Sequence, residues 1–240
     1  MSARFNIISE GRPQPVANRI KPIYVMHEDG VTPDHVVAVS KGIAAVLDAA
    51  GMRQRIEVHH FGAWRHAQWR QGTTLRPHCS VEWYLDEGRK HSKKDGQLYE
   101  PAISNALYND PWQESQPHYD LVILKSDLYA EGCNFIIGAA LKGKFCLVSV
   151  NRFLGLSAKE QEECIATETI HELGHVFGLP HDDRNDGAIE ESLGGHCTNR
   201  CTMRQGLVVP RDWQYMTTHR LQHGPFCPTC KQELRQFFCQ

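Results

Sequence analysis

The sequence predicts a mixed fold of helices and strands organised on parallel strands, and three observations carry that expectation. A βαβ pattern begins at Ile23, continuous apolar runs recur at Leu121 to Leu124 and Phe145 to Val150, and a strongly capped helix starts after Ser157. The 240 residues permit one large domain or two small ones, enough to bury a core without cross-links. Lys and Arg number 26 against 28 Asp and Glu, so the formal charge of −2 supplies no basic footprint for nucleic acid or an acidic membrane. The longest apolar run, Phe135 to Leu141, is far short of a membrane span, and the opening MSARFNIISEGR has no apolar stretch or cleavage site of an export signal. Nine Cys, an odd number in such a chain, argue for thiols held reduced, some as metal ligands. A soluble, cytoplasmic protein is expected.

Ile23 to Met26 is a β-rich run. Thr32 is placed as an N-cap with Pro33 at the first helical position, and Val36, Val39, Ile43, Leu47 and Ala50 recur at helical spacing up to Gly51. Arg55 to Phe61, where Ile56 and Val58 alternate with charge, reads as a second strand parallel to the first. From Gly62 to Pro117 the periodicity weakens. An irregular, surface-rich insertion is expected there, with a short helix around Ala102 to Tyr108 and its Trp residues packed over the sheet. Leu121 to Leu124 has the unbroken apolar character of a strand covered on both faces, and Phe145 to Val150 is a second such run. Phe135 to Gly138 reads as a strand ending at a bulge, although so short an apolar run does not distinguish a strand from a buried helix.

Ser157 with Glu160 makes a capping box for a helix that reaches Phe177, closed by Gly178 with Pro180 beyond. Ala166, Ile170, Leu173 and Phe177 gather on one of its faces; Glu168, His171 and His175 lie nearly opposite. Glu168, one turn before His171 on the same face, either orients a ligand or is a solvated helix carboxylate, and the latter reading is preferred.

Residues 171 to 181 read HELGHVFGLPH, which puts His171 and His175 one turn apart, where two imidazoles reach one zinc ion. Glu172 lies between them, placed to hydrogen-bond a water rather than the metal, which is the position of a general base. Gly178 takes the positive φ of a sharp turn that brings back a third ligand, and His181 is the expected third imidazole. His196, Asp182 and Asp183 are its rivals. HExxH alone arises readily by chance; with Gly178 and His181 at fixed offsets it does not. Further on, Cys197 with Cys201 and Cys227 with Cys230 are two pairs on separated turns, a standard way to build a closed four-thiolate zinc site. The alternatives are small buried cysteines or a redox CxxC. Cys79, Cys133, Cys146, Cys164 and Cys239 are read as structural.

HExxHxxGxxH is the signature of the metzincin metallopeptidases, and the chain resembles most closely the archaemetzincin branch. That family follows its third His with a Cys-rich stretch containing a Met-turn and a later CxxC, which together hold a second, structural zinc. Here the corresponding residues are Cys197, Cys201 and Met203, then Cys227 and Cys230. The segments NFIIGAA from Asn134 and SVNRF from Ser149 also resemble the family's strands before the active-site helix, so the likeness covers roughly Tyr119 to Cys230. Fifteen residues, Asp182 to His196, separate His181 from Cys197, where the family has only a few.

The resemblance implies an α+β zincin with a twisted mixed sheet, mainly parallel with one antiparallel edge strand, an active-site helix, and a smaller irregular C-terminal subdomain. Residues 1–181 would form the zincin subdomain, with the active-site helix at 158–177 and the insertion at 62–117. Residues 182–240 would form the Cys-rich subdomain with the Met-turn, in which Met203 is a soft apolar floor under the catalytic site. The implied activity is hydrolysis of peptide bonds by zinc-activated water with Glu172 as base, on a peptide or protein substrate. The alternative is a noncatalytic zinc protein that binds a partner. No nucleic-acid or membrane partner is expected.

Overall fold

The computed structural model describes residues 19–63, 78–191 and 194–239. Trp64 and Trp69, two of the insertion's tryptophans, lie outside the described residues. In chain order the first half contains β1 (Ile23–His27), α1 (Pro33–Ala50), β2 (Val58–Gly62), α2 (Val81–Lys90), β3 (Gln97–Tyr99), α3 (Glu100–Tyr108) and α4 (Trp112–Ser115). The second half contains β4 (Tyr119–Leu124), β5 (Asp127–Tyr129), β6 (Gly138–Leu141), β7 (Phe145–Ser149), α5 (Ala158–Val176), β8 (Ile189–Glu190), β9 (His196–Cys197), α6 (Arg211–His223) and α7 (Pro228–Cys239).

The main sheet has the order β2-β1-β4-β7-β6. Its first four strands are parallel, and β6 runs antiparallel along the edge, pairing Gly138 with Val148 and Leu141 with Phe145. This is the mixed, mainly parallel sheet that was expected. The opening βαβ unit forms as its caps dictate: Thr32 Oγ1 accepts from His35 N at 3.4 Å, and Gly51 closes α1 at φ 73°. The second strand starts at Val58 rather than Arg55, because Arg55 and Ile56 both donate their N–H to Met52 O in a turn.

Two cores sandwich the sheet. Alternate residues of β4 point to opposite sides: Leu121 and Ile123 join α1 and α5 in one cluster, while Val122 and Leu124 join Val81, Leu85, Ile103 and Leu107 in the other. Residues 78–117 of the expected insertion are therefore more ordered than their weak periodicity suggests, since α2 and α3 cover the second face of the sheet. That covering is why Leu121 to Leu124 of β4 are apolar on both faces. On the first face α1 crosses α5 at Gly42, where an added Cβ would stand 2.6 Å from Thr169 Cβ and 2.8 Å from Ala166 O.

The apolar run at Phe135 divides differently from expectation. Phe135 to Ile137 is not strand; Ile136 makes only an isolated bridge to Leu128, and the edge strand begins where it was expected to end, at Gly138. Seven apolar residues in a row carry no alternation to mark that boundary. Among the described residues no helix is long and apolar enough to cross a membrane.

Candidate metal centre

Helix α5 carries the first two imidazoles. Ser157 Oγ accepts from Glu160 N at its start, and after Val176 the chain reverses at Gly178, whose φ is 77°. That reversal returns the Leu179 carbonyl to His175, whose Nδ1 donates to it at 2.7 Å. His171 Nδ1 donates to Thr202 O at 2.8 Å, and His196 Nδ1 donates to Gly194 O at 2.9 Å. Each of the three rings thus spends its Nδ1 proton on a backbone carbonyl, which leaves the lone pair on Nε2.

The three rings converge, with ligand atoms of His171, His175 and His196 all within 4.8 Å of one another. His171 Nε2 and His175 Nε2 stand 3.1 Å apart with no proton between them to share. Two lone pairs at that distance repel unless a cation sits between, and tetrahedral zinc with bonds near 2.0 Å would set its nitrogens about 3.3 Å apart. The donor set fits zinc. Burial, reinforced by His196, pushes the His171 pKa down to about 3, and burial holds His175 far below its ordinary value, so both rings stay neutral and able to bind metal.

The third imidazole is His196, not His181. His181 leaves the cluster: its side chain is 38% exposed, its Nδ1 accepts from Asp183 N, and its own N–H donates to Glu233 Oε2. Asp182 and Asp183 also point away, with side chains 82% and 91% exposed, Asp182 paired with Lys142. What brings His196 back is the small hairpin of β8 and β9, which pairs Glu190 with His196 and Ile189 with Cys197. Arg184 pins the intervening loop; its nearly inaccessible guanidinium donates to Glu233 and to the sulfurs of Cys197 and Cys230. The chain therefore returns to the cluster at β9, and the offset from Gly178 is no guide to the third imidazole of the group. The readable signal was the adjacency of His196 to Cys197.

Glu172 and Glu168 form a buried carboxyl pair. Burial, then the neighbouring Glu168, pushes Glu172 well above the usual carboxylate range, and burial raises Glu168 to about 7. Both carboxyls face Gly138, and Trp213 Nε1 donates to Glu168 Oε2 at 2.6 Å. Glu168 is 2% exposed, which overturns its reading as a solvated carboxylate. Met203 is fully buried against α5, so close to Gly174 that a Cβ there would overlap its Sδ.

The four expected thiols also meet. Sγ atoms of Cys197, Cys201, Cys227 and Cys230 lie within 4.8 Å of one another, all buried and none in a disulfide. Cys197 Sγ and Cys227 Sγ are 3.8 Å apart, close to the spacing of about 3.8 Å that tetrahedral zinc–thiolate bonds near 2.3 Å impose. The arrangement fits a closed thiolate site, which the donors of Arg184 would further stabilise as anions.

No family model matches the chain. Among curated proteins it is 38% identical over 99 residues to the archaemetzincin of Methanopyrus kandleri, covering 40% of this chain and 54% of that one. It is 34% identical over 85 residues to the archaemetzincin of Archaeoglobus fulgidus, 35% of this chain and 44% of that one. A disintegrin and metalloproteinase with thrombospondin motifs 1 of Rattus norvegicus is 32% identical over 127 residues, 49% of this chain and 12% of that protein. The chain thus spans about half the length of the archaemetzincins it matches. In structure it resembles crystalline archaemetzincin of M. kandleri, with TM-score 0.62, 23% identity and coverage of 92% of this chain and 97% of that one. Against A. fulgidus archaemetzincin the TM-score is 0.56, with 21% identity and coverage of 88% and 99%. The fold is archaemetzincin-like.

Proposed function

We propose that the protein is a zinc-dependent metallopeptidase of archaemetzincin type. The observation that supports this most is the convergence of three Nε2 lone pairs, from His171, His175 and His196, each ring fixed by a carbonyl on its other nitrogen. Three protein ligands are the number found in catalytic rather than structural zinc sites. Bound there, zinc supplies a Lewis acid for a scissile carbonyl and makes water acidic near neutral pH.

Glu172 takes a proton from the attacking water at a carboxylate oxygen and passes it to the departing amine. Met203 floors the site beneath Gly174, and a peptide or protein is the substrate. A second zinc, held by Cys197, Cys201, Cys227 and Cys230, is structural and fixes β9.

The test is hydrolysis of a mixed peptide library by zinc-loaded protein and by its Glu172→Gln variant. Loss of at least about a hundredfold in kcat with metal content unchanged is expected. Equal rates for the two proteins would remove the mechanism.

A further inference from the structure

We propose that Glu168 is a positioning residue for Glu172, a role that rests on the peptidase reading above. A glutamate side chain turns about three bonds, whereas a general base has to be held to within about half an ångström of its working geometry. Glu168 stands four residues before Glu172 on α5, the spacing at which helical side chains meet. Three independent restraints bear on the pair. Trp213, from α6, donates its indole N–H to Glu168 Oε2 at 2.6 Å, which fixes the first carboxyl. The Glu168 carboxyl lies beside that of Glu172, both facing Gly138, which carries the constraint across.

The edge strand closes the remaining side at Gly138, where an added Cβ would lie 2.5 Å from Glu172 Oε1 and 2.6 Å from Glu168 Oε1. Only a residue without a side chain leaves room for both oxygens. The chain Trp213 to Glu168 to Glu172 is thus clamped between α6 and β6, with Glu168 2% and Glu172 5% exposed. A role limited to tying α6 to α5 accounts for the indole contact and leaves the adjacent Glu172 carboxyl and the glycine that faces both unexplained. Thr167 and Thr217 already tie those helices through their hydroxyls at 2.7 Å.

The two roles separate in variants of the zinc-loaded protein. Glu168→Gln keeps an acceptor for Trp213 and a polar group of the same shape beside Glu172, and is expected to retain kcat within about threefold. Glu168→Leu keeps a similar volume and loses the indole bond and the polar neighbour of Glu172; kcat should fall about 10- to 100-fold with KM and zinc content unchanged. Thr217→Val, which loosens the helix pair without touching Glu168, should lower thermal stability and leave kcat as it is. Crystal structures supply a readout independent of turnover: the Glu172 carboxyl should hold its place in the Gln variant and leave it in the Leu variant. If the Leu variant does not fold, Trp213→Phe removes the anchor alone and should displace the same carboxyl. Glu168→Leu with wild-type kcat and an unmoved Glu172 would overturn the proposal. Absence of hydrolysis by the wild-type protein itself would instead strike the peptidase reading, while the crystallographic comparison still decides the positioning.

Discussion

Arg184 donates to Cys197 Sγ at 3.1 Å, and Cys197 is the residue next to His196. The loop that separates the first two imidazoles from the third is therefore nailed to the thiolate cluster at its start and leaves it at its end. The two candidate metal sites share one short strand, β9, which supplies His196 to one and Cys197 to the other.

Arg184→Ala removes two donors to sulfur and leaves Glu233, whose side chain is 10% exposed, without its ion-pair partner. Breaking a buried pair on one side costs about 3 kcal/mol or more. A fall in the denaturant midpoint is expected together with faster loss of zinc to a chelator from both sites. Chelation kinetics followed by a colorimetric zinc indicator would check it; unchanged release from the imidazole site would break the coupling.

A Cβ at Gly174 would overlap Met203 Sδ, so any larger residue there forces the buried Met203 side chain to move. Gly174→Ala should cost about 1–3 kcal/mol by overpacking. Combined with Met203→Ala, which vacates the space, the loss should be less than the sum of the single losses. A double-mutant cycle by thermal unfolding measures that coupling, and additive losses would show that the two do not press on each other.

Glu100, at the start of α3, is buried, and burial pushes its carboxyl above the ordinary range, while Ser104 donates to it. Between its ordinary and its raised pKa the folded chain keeps a proton that the unfolded chain has released. The stability from this group is therefore complete below the ordinary value and is lost as pH rises through the folded one. Glu100→Gln carries no such loss, so the melting temperature of the variant relative to wild type should rise as pH increases above the ordinary carboxylate range. A difference independent of pH would mean that Glu100 ionises alike in both states.

The sequence announces most of the sheet and the whole of α5, because each rests on a local signal. Thr32 and Gly51 bracket α1, Ser157 and Gly178 bracket α5, and unbroken apolar runs mark the two buried strands β4 and β7. The covering role of α2 and α3 was not legible, since their apolar residues meet the sheet only through long-range packing. The same reason hides the carboxyl pair: Glu168 looks solvated on a helical wheel until Trp213, forty-five residues later, and Gly138 close over it. His196 was misjudged for a related cause. Spacing from Gly178 favours His181 only if the chain continues directly, and the hairpin that makes it do otherwise depends on the distant contact of Arg184 with Cys230 and Glu233.

The two histidines after α5 give the sharpest division of outcomes. His196 stacks against His171 with ring centroids 5.2 Å apart and is 6% exposed, whereas His181 keeps to the surface beside Asp183. His196→Ala removes one of three ligands and opens the site to solvent. Its zinc affinity at the imidazoles should fall by two orders of magnitude or more, and hydrolysis with it, while zinc at the four thiolates remains. His181→Ala forfeits only an exposed side chain and should change neither, with stability altered by about 0.5 kcal/mol at most. Isothermal titration of metal-free protein with zinc, run on both variants, reads the two sites as separate steps. If the His181 variant lost the step that the His196 variant kept, the inserted loop would have to be placed the other way round, with His181 turned inward and the β8–β9 hairpin released.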